Sequence, residues 1–385
     1  MNKAIVAGLA AGVLIVGLVL SPVFTGFPLL SGAQADHADT GATKKFTLIA
    51  DEVEVQVTPD GHSLWPGLKY NAMVFNGTVP GPVLSVHQGD MVEITMVNEG
   101  DVIHSMDFHS ALTTTGANSG SIKPGESKTW SFKAEAAGAF FYHCSADGLN
   151  GVWEHIANGM YGGIVVHPHN EKPAKEFYVA FNQIYTTNTA NSTVAGSFDF
   201  TKFMAKNPDL VLTNGMAHKY VPAIGGVSQL VLNKPLADEL AAGNLENFFV
   251  VKPGELTRWY IVNAGPNDGI AFHFIGAVLD VRDGSIINRY GTQDKMDETW
   301  WIPPGSASVI EVTFPQGGGP EGSPDGTPGI YVGVDHEMTD VVKGAAFAVV
   351  AVDGEPAMAD DQPDGTAVMS MEETMKEGSM MEETG

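Results

Sequence analysis

The only cysteine in the chain, Cys144, stands directly beside a histidine in Phe140-Phe141-Tyr142-His143-Cys144-Ser145. Thiolate and imidazole are ligands that suit copper, and in an extended strand successive side chains point to opposite faces. His143 and Cys144 can therefore each bind a different metal while sharing one peptide bond. Downstream lie His155 and Met160, in Trp153-Glu154-His155-Ile156-Ala157-Asn158-Gly159-Met160, and upstream lies His104-Ser105-Met106-Asp107-Phe108-His109. Cys144 with His104, His155 and a weak axial Met160 is the ligand set of a blue-copper electron-transfer centre. A lone buried cysteine is more often a small hydrophobe, and a methionine five residues from a histidine is more often core. The reading rests on the combination: a distant histidine, then Cys, His and Met in a closing loop.

His109 and His143 are then left for a second metal, and His336, in Val332-Gly333-Val334-Asp335-His336, is the natural third ligand. Three imidazoles with an open position describe a catalytic metal site. Zinc fits such a site as well as copper does. The shared peptide argues for copper, because an electron can pass from one metal to the other and zinc cannot accept it. Asp107, two residues from His109, lies on the same face of an extended segment, and His273 could supply a second proton. An acid and a histidine beside a redox metal suit a reaction that consumes an electron and protons together. Taken singly, Asp107 reads as a turn-stabilising carboxylate and His273 as a core histidine.

Short valine- and isoleucine-rich runs between Gly, Pro and Asn turns must position these groups, and they predict an all-β chain. Strands are expected at residues 46–50, 52–57, 70–75, 83–86, 91–97, 128–132, 142–144 and 161–166, after a flexible lead-in at 36–45. The second half opens at 176–181 and repeats this grammar. Leu212-Thr213-Asn214-Gly215 echoes Val74-Phe75-Asn76-Gly77, and Lys252-Pro253-Gly254-Glu255 echoes His87-Gln88-Gly89-Asp90, as an internal duplication would. The second copy has no cysteine but keeps His273 and His336. The expected organisation is a leader or anchor at 1–35, β-sandwich domains at 46–170 and 175–352, and an acidic, Met-rich disordered tail at 353–385. His167 and His169 fall in the linker and are assigned no role.

A formal charge of −25 over 385 residues excludes nucleic acid as a natural partner. Met1-Asn2-Lys3, an apolar run at 4–20 and Ala33-Gln34-Ala35 have the layout of a signal peptide. Export to a periplasmic or extracellular location is expected, with an uncleaved membrane anchor as the alternative because the run approaches spanning length. A single cysteine leaves no internal disulfide, which strengthens the ligand reading of Cys144.

The motifs His104-Ser105-Met106-Asp107-Phe108-His109, Tyr142-His143-Cys144, His155-Ile156-Ala157-Asn158-Gly159-Met160-Tyr161-Gly162, His273-Phe274-Ile275-Gly276 and Val334-Asp335-His336 closely resemble, in order, those of copper-containing nitrite reductases. The match runs through about residues 46–352. The resemblance implies two tandem cupredoxin-like Greek-key β-sandwich domains, two coppers per chain (type 1 and type 2), a homotrimer, and reduction of nitrite to nitric oxide. Electrons would come from a small donor such as a blue-copper protein or cytochrome. It further implies that the second copper lies between subunits, with His109 and His143 from one chain and His336 from the next. Asp107 and His273 would handle protons, and Ile275 would match the isoleucine that shapes the substrate pocket. The chain departs from the family in a longer loop from Cys144 to His155, apparent insertions at 217–246 and 316–328, and Val278 where some members carry a histidine. Two other readings compete. A laccase-like oxidase needs paired His-x-His motifs, and Met106 and Ser145 stand where those histidines are required. A non-catalytic copper carrier would leave the second site empty.

Overall fold

Alternation of inward and outward residues sets the strands. In Met91–Asn98, for example, Val92, Ile94, Met96 and Asn98 are buried while their neighbours are only partly so. The computed structural model describes residues 41–62, 64–114, 120–146, 151–189, 192–221, 248–281, 296–315 and 329–351. The expected leader and tail, nearly all of both apparent insertions and part of the Cys144 to His155 loop lie outside the described residues.

The first half contains β1 (Thr43–Gln56), β2 (Lys69–Phe75), β3 (Leu84–His87), β4 (Met91–Asn98), β5 (Asp107–Phe108), β6 (Ser127–Lys133), β7 (Gly138–His143), α1 (Val152–Ala157) and β8 (Tyr161–His167). The second contains β9 (Lys175–Ile184), α2 (Phe200–Met204), β10 (Leu210–Thr213), β11 (Phe249–Val251), β12 (Leu256–Gly265), β13 (Ile270–Ile275), β14 (Leu279–Val281), β15 (Met296–Asp297), β16 (Thr299–Ile302), β17 (Ser306–Thr313), β18 (Gly329–Asp335), α3 (Met338–Lys343) and β19 (Ala346–Ala351). Sheets β2-β1-β4-β6 and β3-β8-β7-β5 enclose one core, around Ile94, Trp130, Tyr142 and Cys144. Sheets β10-β9-β12-β17-β14-β15 and β11-β19-β18-β13-β16 enclose the other, around Trp259, Phe272 and Phe347. The chain is thus an all-β pair of sandwiches, and the pairing repeats between halves. β1 lies parallel to β4 as β9 does to β12, β3 to β8 as β11 to β19, and β5 lies antiparallel to β7 as β13 does to β18.

Strand β9 is buried on both faces. Phe177, Val179 and Phe181 enter the second core, whereas Tyr178 and Ala180 pack with Phe141, Tyr161 and Val165 of the first half. A sheet covered on both sides reads as a continuous apolar run.

Four local expectations need correction. Residues 46–50 and 52–57 form one strand, and it begins at Thr43, inside the expected lead-in. Its antiparallel pairing with β2 starts at Ala50, the residue where its parallel pairing with β4 ends, so the apparent break is a change of partner. Cys144 lies one residue beyond β7, although its N–H still bonds to the Met160 carbonyl at 3.1 Å. His155 sits on the short helix α1, whose Glu154 and His155 N–H groups both donate to the Gly151 carbonyl. His167 ends β8 and is not linker.

Gly215, in the left-handed region at φ +83°, marks a close approach between the halves, because a Cβ there would lie 1.7 Å from the Val79 carbonyl oxygen. Gly77 has a similar φ of +76°, and a Cβ there would meet no described residue within 4 Å. Gly77→Ala is therefore expected to cost only the roughly 1–2 kcal/mol of left-handed backbone. Gly215→Ala adds a backbone clash and should lower the melting temperature much further in parallel thermal scans.

Candidate metal centres

The first cluster forms where β1, the segment before β5, the end of β7 and α1 meet. Backbone bonds in both directions between His104 and Ile122 clip His104 in place. The ligand atoms of His104, Cys144 and His155 all lie within 4.8 Å of one another, and all three residues are buried. Cys144 Sγ is 3.3 Å from His155 Nδ1 and 3.8 Å from His104 Nδ1, and the two Nδ1 atoms are 3.3 Å apart. The tautomer of His104 follows from its other nitrogen, which faces the Glu52 carboxylate at 2.6 Å and must donate to it. Nδ1 therefore turns a lone pair toward the sulfur. Glu52 is held in turn by the Asp101 N–H at 2.6 Å, and Gly100 leaves it room, since a Cβ there would come within 2.7 Å of the carboxylate. The Ser105 N–H donates to Cys144 Sγ at 3.3 Å. Met160 is fully buried in the same core as Cys144, and its N–H bonds to the His155 carbonyl at 3.0 Å.

The second cluster forms across the β5–β7 ladder, where Asp107 faces His143 and Phe108 faces Tyr142. His109 and His143 bring their Nε2 atoms to 3.2 Å with rings nearly perpendicular, at 83°. His143 Nδ1 donates to the Cys144 carbonyl at 2.8 Å, and His109 is hydrogen-bonded to the backbone of Gly305 from the second half. With its Nδ1 so engaged, His143 presents the lone pair of Nε2 toward His109, and carbonyl-anchored imidazoles are the usual support of a metal site. Asp107 Oδ2 is 3.6 Å from His143 Nε2.

Burial lowers all four imidazoles. His155 and His143 are pushed down to about 4, chiefly by desolvation. His104 is lowered by desolvation although Glu52 opposes it, and His109 by desolvation although the Asp107 carboxylate and the Gly305 backbone oppose it. Histidines held neutral at pH 7 are available as ligands.

His273 and His336 lie elsewhere. Their rings are 5.3 Å apart, both retain solvent contact, and His273 Nδ1 donates to the Glu298 carbonyl with Thr299 Oγ1 3.4 Å away. Ile275 is 52% exposed on the same face of β13 as His273. Among the described residues, the group of ligand atoms at His109 contains Asp107, His109 and His143 and does not contain His336. One chain therefore presents a two-histidine half-site in one place and His336 with His273 in another. Glu52, Ser105, Gly305, Glu298 and Thr299 were not anticipated. Their partners are distant in sequence, and a carboxylate in a strand or a glycine in a turn carries no local mark of such a task.

His167, Glu171 and Glu176 also converge. There the Arg258 guanidinium donates to Glu176 at 2.8 Å and to Glu311 at 2.7 Å and lies 3.3 Å from Glu171, so a buried ion-pair network already supplies the positive charge.

The multicopper oxidase family profile matches residues 56–171. Over 310 residues, 78% of this chain and 68% of the relative, the chain is 31% identical to the copper-containing nitrite reductase of Neisseria meningitidis serogroup B. It is 31% identical over 325 residues to that of Rhizobium meliloti, covering 81% of this chain and 76% of the relative. Among solved structures, the copper nitrite reductase of Nitrosomonas europaea superimposes with a TM-score of 0.62 at 31% identity, over 83% of this chain and 98% of that one. The donor sets agree with copper: thiolate with imidazole at one cluster, and paired neutral imidazoles at the other.

The lowered histidines set a pH window. On unfolding His143 and His155 return to about 6.5, so between there and about 4 the unfolded chain binds more protons than the folded one. Their contribution to stability is complete above about pH 6.5 and is lost as pH falls toward 4. Melting temperatures of copper-free protein should fall across this window, and fall less in His143→Gln. Glu52→Ala removes the acceptor that orients His104 and should weaken copper retention at the first cluster by about 10–100-fold, read by competition with a chelator.

Proposed function

The chain belongs to the copper-containing nitrite reductase family, and from this premise we propose that it reduces nitrite to nitric oxide with an electron admitted at His104, Cys144, His155 and Met160 and used at His109, His143 and His336. The observation that carries this reading is the single peptide between His143 and Cys144. One residue contributes to each cluster, so an electron at the thiolate is one covalent step from the second site.

Two coppers per chain, type 1 at the first cluster and type 2 at the second, account for both donor sets. Bound at the second site, copper supplies the electron and a positive charge that neutralises nitrite. The remaining work falls to side chains. Reduction of nitrite to nitric oxide and water takes one electron and two protons. Asp107, 3.6 Å from His143 Nε2, borders the position where substrate would sit and hands a proton to the oxygen that leaves as water. His273, anchored through Nδ1 to the Glu298 carbonyl, keeps Nε2 for the second proton. Ile275 walls the site and excludes water.

The exposed side of His109 and the exposed position of His336 support completion of the second site by a neighbouring subunit. Because His273 rests against His336, a subunit that lends one lends both. A homotrimer closes every such pair. The apolar run at 4–20 followed by Ala33-Gln34-Ala35 supports export, where a small soluble carrier, a blue-copper protein or cytochrome, serves as donor.

Purified, copper-loaded protein with a reduced donor should release nitric oxide from nitrite. His109→Ala should keep the blue absorption of the first copper, bind one copper per chain instead of two, and release none. Two coppers per chain without nitric oxide would overturn the substrate assignment.

A further inference from the structure

Asp335, next to His336, is fully buried, and its carboxylate is used asymmetrically. Oδ1 accepts two backbone N–H groups, from Ala271 at 2.9 Å and Glu337 at 3.0 Å, while Oδ2 has no hydrogen-bond partner among the described residues. The bond to Glu337 closes a turn of Asx type around His336. The bond to Ala271 extends the β13–β18 ladder past its last pair, Phe272 with Asp335. At the same point the His336 N–H donates to the Ala271 carbonyl at 2.7 Å. Ala271 is thus gripped at its N–H by the Asp335 side chain and at its carbonyl by the His336 backbone. Two residues on, along the same face of β13, stands His273.

We infer that Asp335 is a positioning residue, which fixes the backbone on both sides of His336 and with it the spacing between His336 and His273. The inference rests on the reading of His336 as a ligand of the second copper. The grip uses one acceptor oxygen in a fixed place, and the unpartnered Oδ2 contributes nothing to it. An amide in place of the carboxylate can present the same oxygen to the same two donors, whereas alanine strands both N–H groups in the interior.

Asp335→Ala should bind the second copper about 10–100-fold more weakly, with an altered electron paramagnetic resonance signal from what remains and unchanged blue absorption from the first copper. Asp335→Asn should keep the parent signal and affinity within about 3-fold, on the same reasoning that position and not charge sets the ligand. If Asp335→Ala fails to fold, seen as loss of the blue band, Asp335→Asn against Asp335→Glu decides: the amide should retain the second copper and the longer carboxylate should lose it. Parent-like copper binding and signal in Asp335→Ala would overturn the inference, as would retention in the Glu variant with loss in the Asn variant, which would assign the role to charge. His336→Ala run alongside separates the two levels. Loss of the second copper there with retention in Asp335→Ala sinks only the positioning role, and retention in both sinks the ligand assignment beneath it.

Discussion

One peptide bond carries two opposed demands. His143 must turn its Nε2 toward His109 while the next residue, Cys144, turns its sulfur toward His104 and His155, and the backbone between them has no freedom to compromise. Its course is set by β7, paired with β5 on one side and β8 on the other. Tyr142, one residue earlier, locks that course, since its hydroxyl donates to the Pro82 carbonyl at 2.6 Å and its ring occupies the space above Gly162, where a Cβ would come within 2.3 Å. The Cys144 carbonyl then accepts from His143 Nδ1, so the link between the clusters also fixes the tautomer of one of its own ligands.

Both clusters bring electron-pair donors close together, with the ligand atoms in each within 4.8 Å of one another. Such convergence opposes folding, and it is tolerated because the surrounding sandwich is packed with large buried side chains and because desolvation keeps the imidazoles neutral. Metal binding relieves the lone-pair contacts and turns a local liability into a link between metal occupancy and stability. Partners outside the clusters, Glu52 on His104 and Gly305 on His109, fix which nitrogen each ring offers.

The second half has no cysteine, yet the second cluster depends on it. It covers the outer face of the first sandwich with Tyr178, Ala180, Tyr260 and Val262, supplies the backbone that anchors His109, and carries His273 on, and His336 one residue beyond, strands that pair as β5 and β7 do at the second cluster. The same antiparallel pairing thus carries different side chains in each half.

The all-β class was legible in the sequence because alternation is a local property: the run at 91–97 specifies its buried face whatever lies beside it. Residue chemistry likewise pointed to Cys144, His104, His155 and Met160 as one candidate set, and to His109, His143, Asp107, His273 and His336 as another. What the sequence could not determine was partnership. β1 looks like two strands because nothing local tells that Ala50 ends one pairing and begins another, and a glutamate in that strand gives no sign that it faces a histidine 52 residues away. Nor does spacing say that His336 lies beside His273 and apart from His109. Those facts were decided only in tertiary structure, because strand pairing joins residues that are distant along the chain, and the register of that pairing assigns each side chain its neighbour.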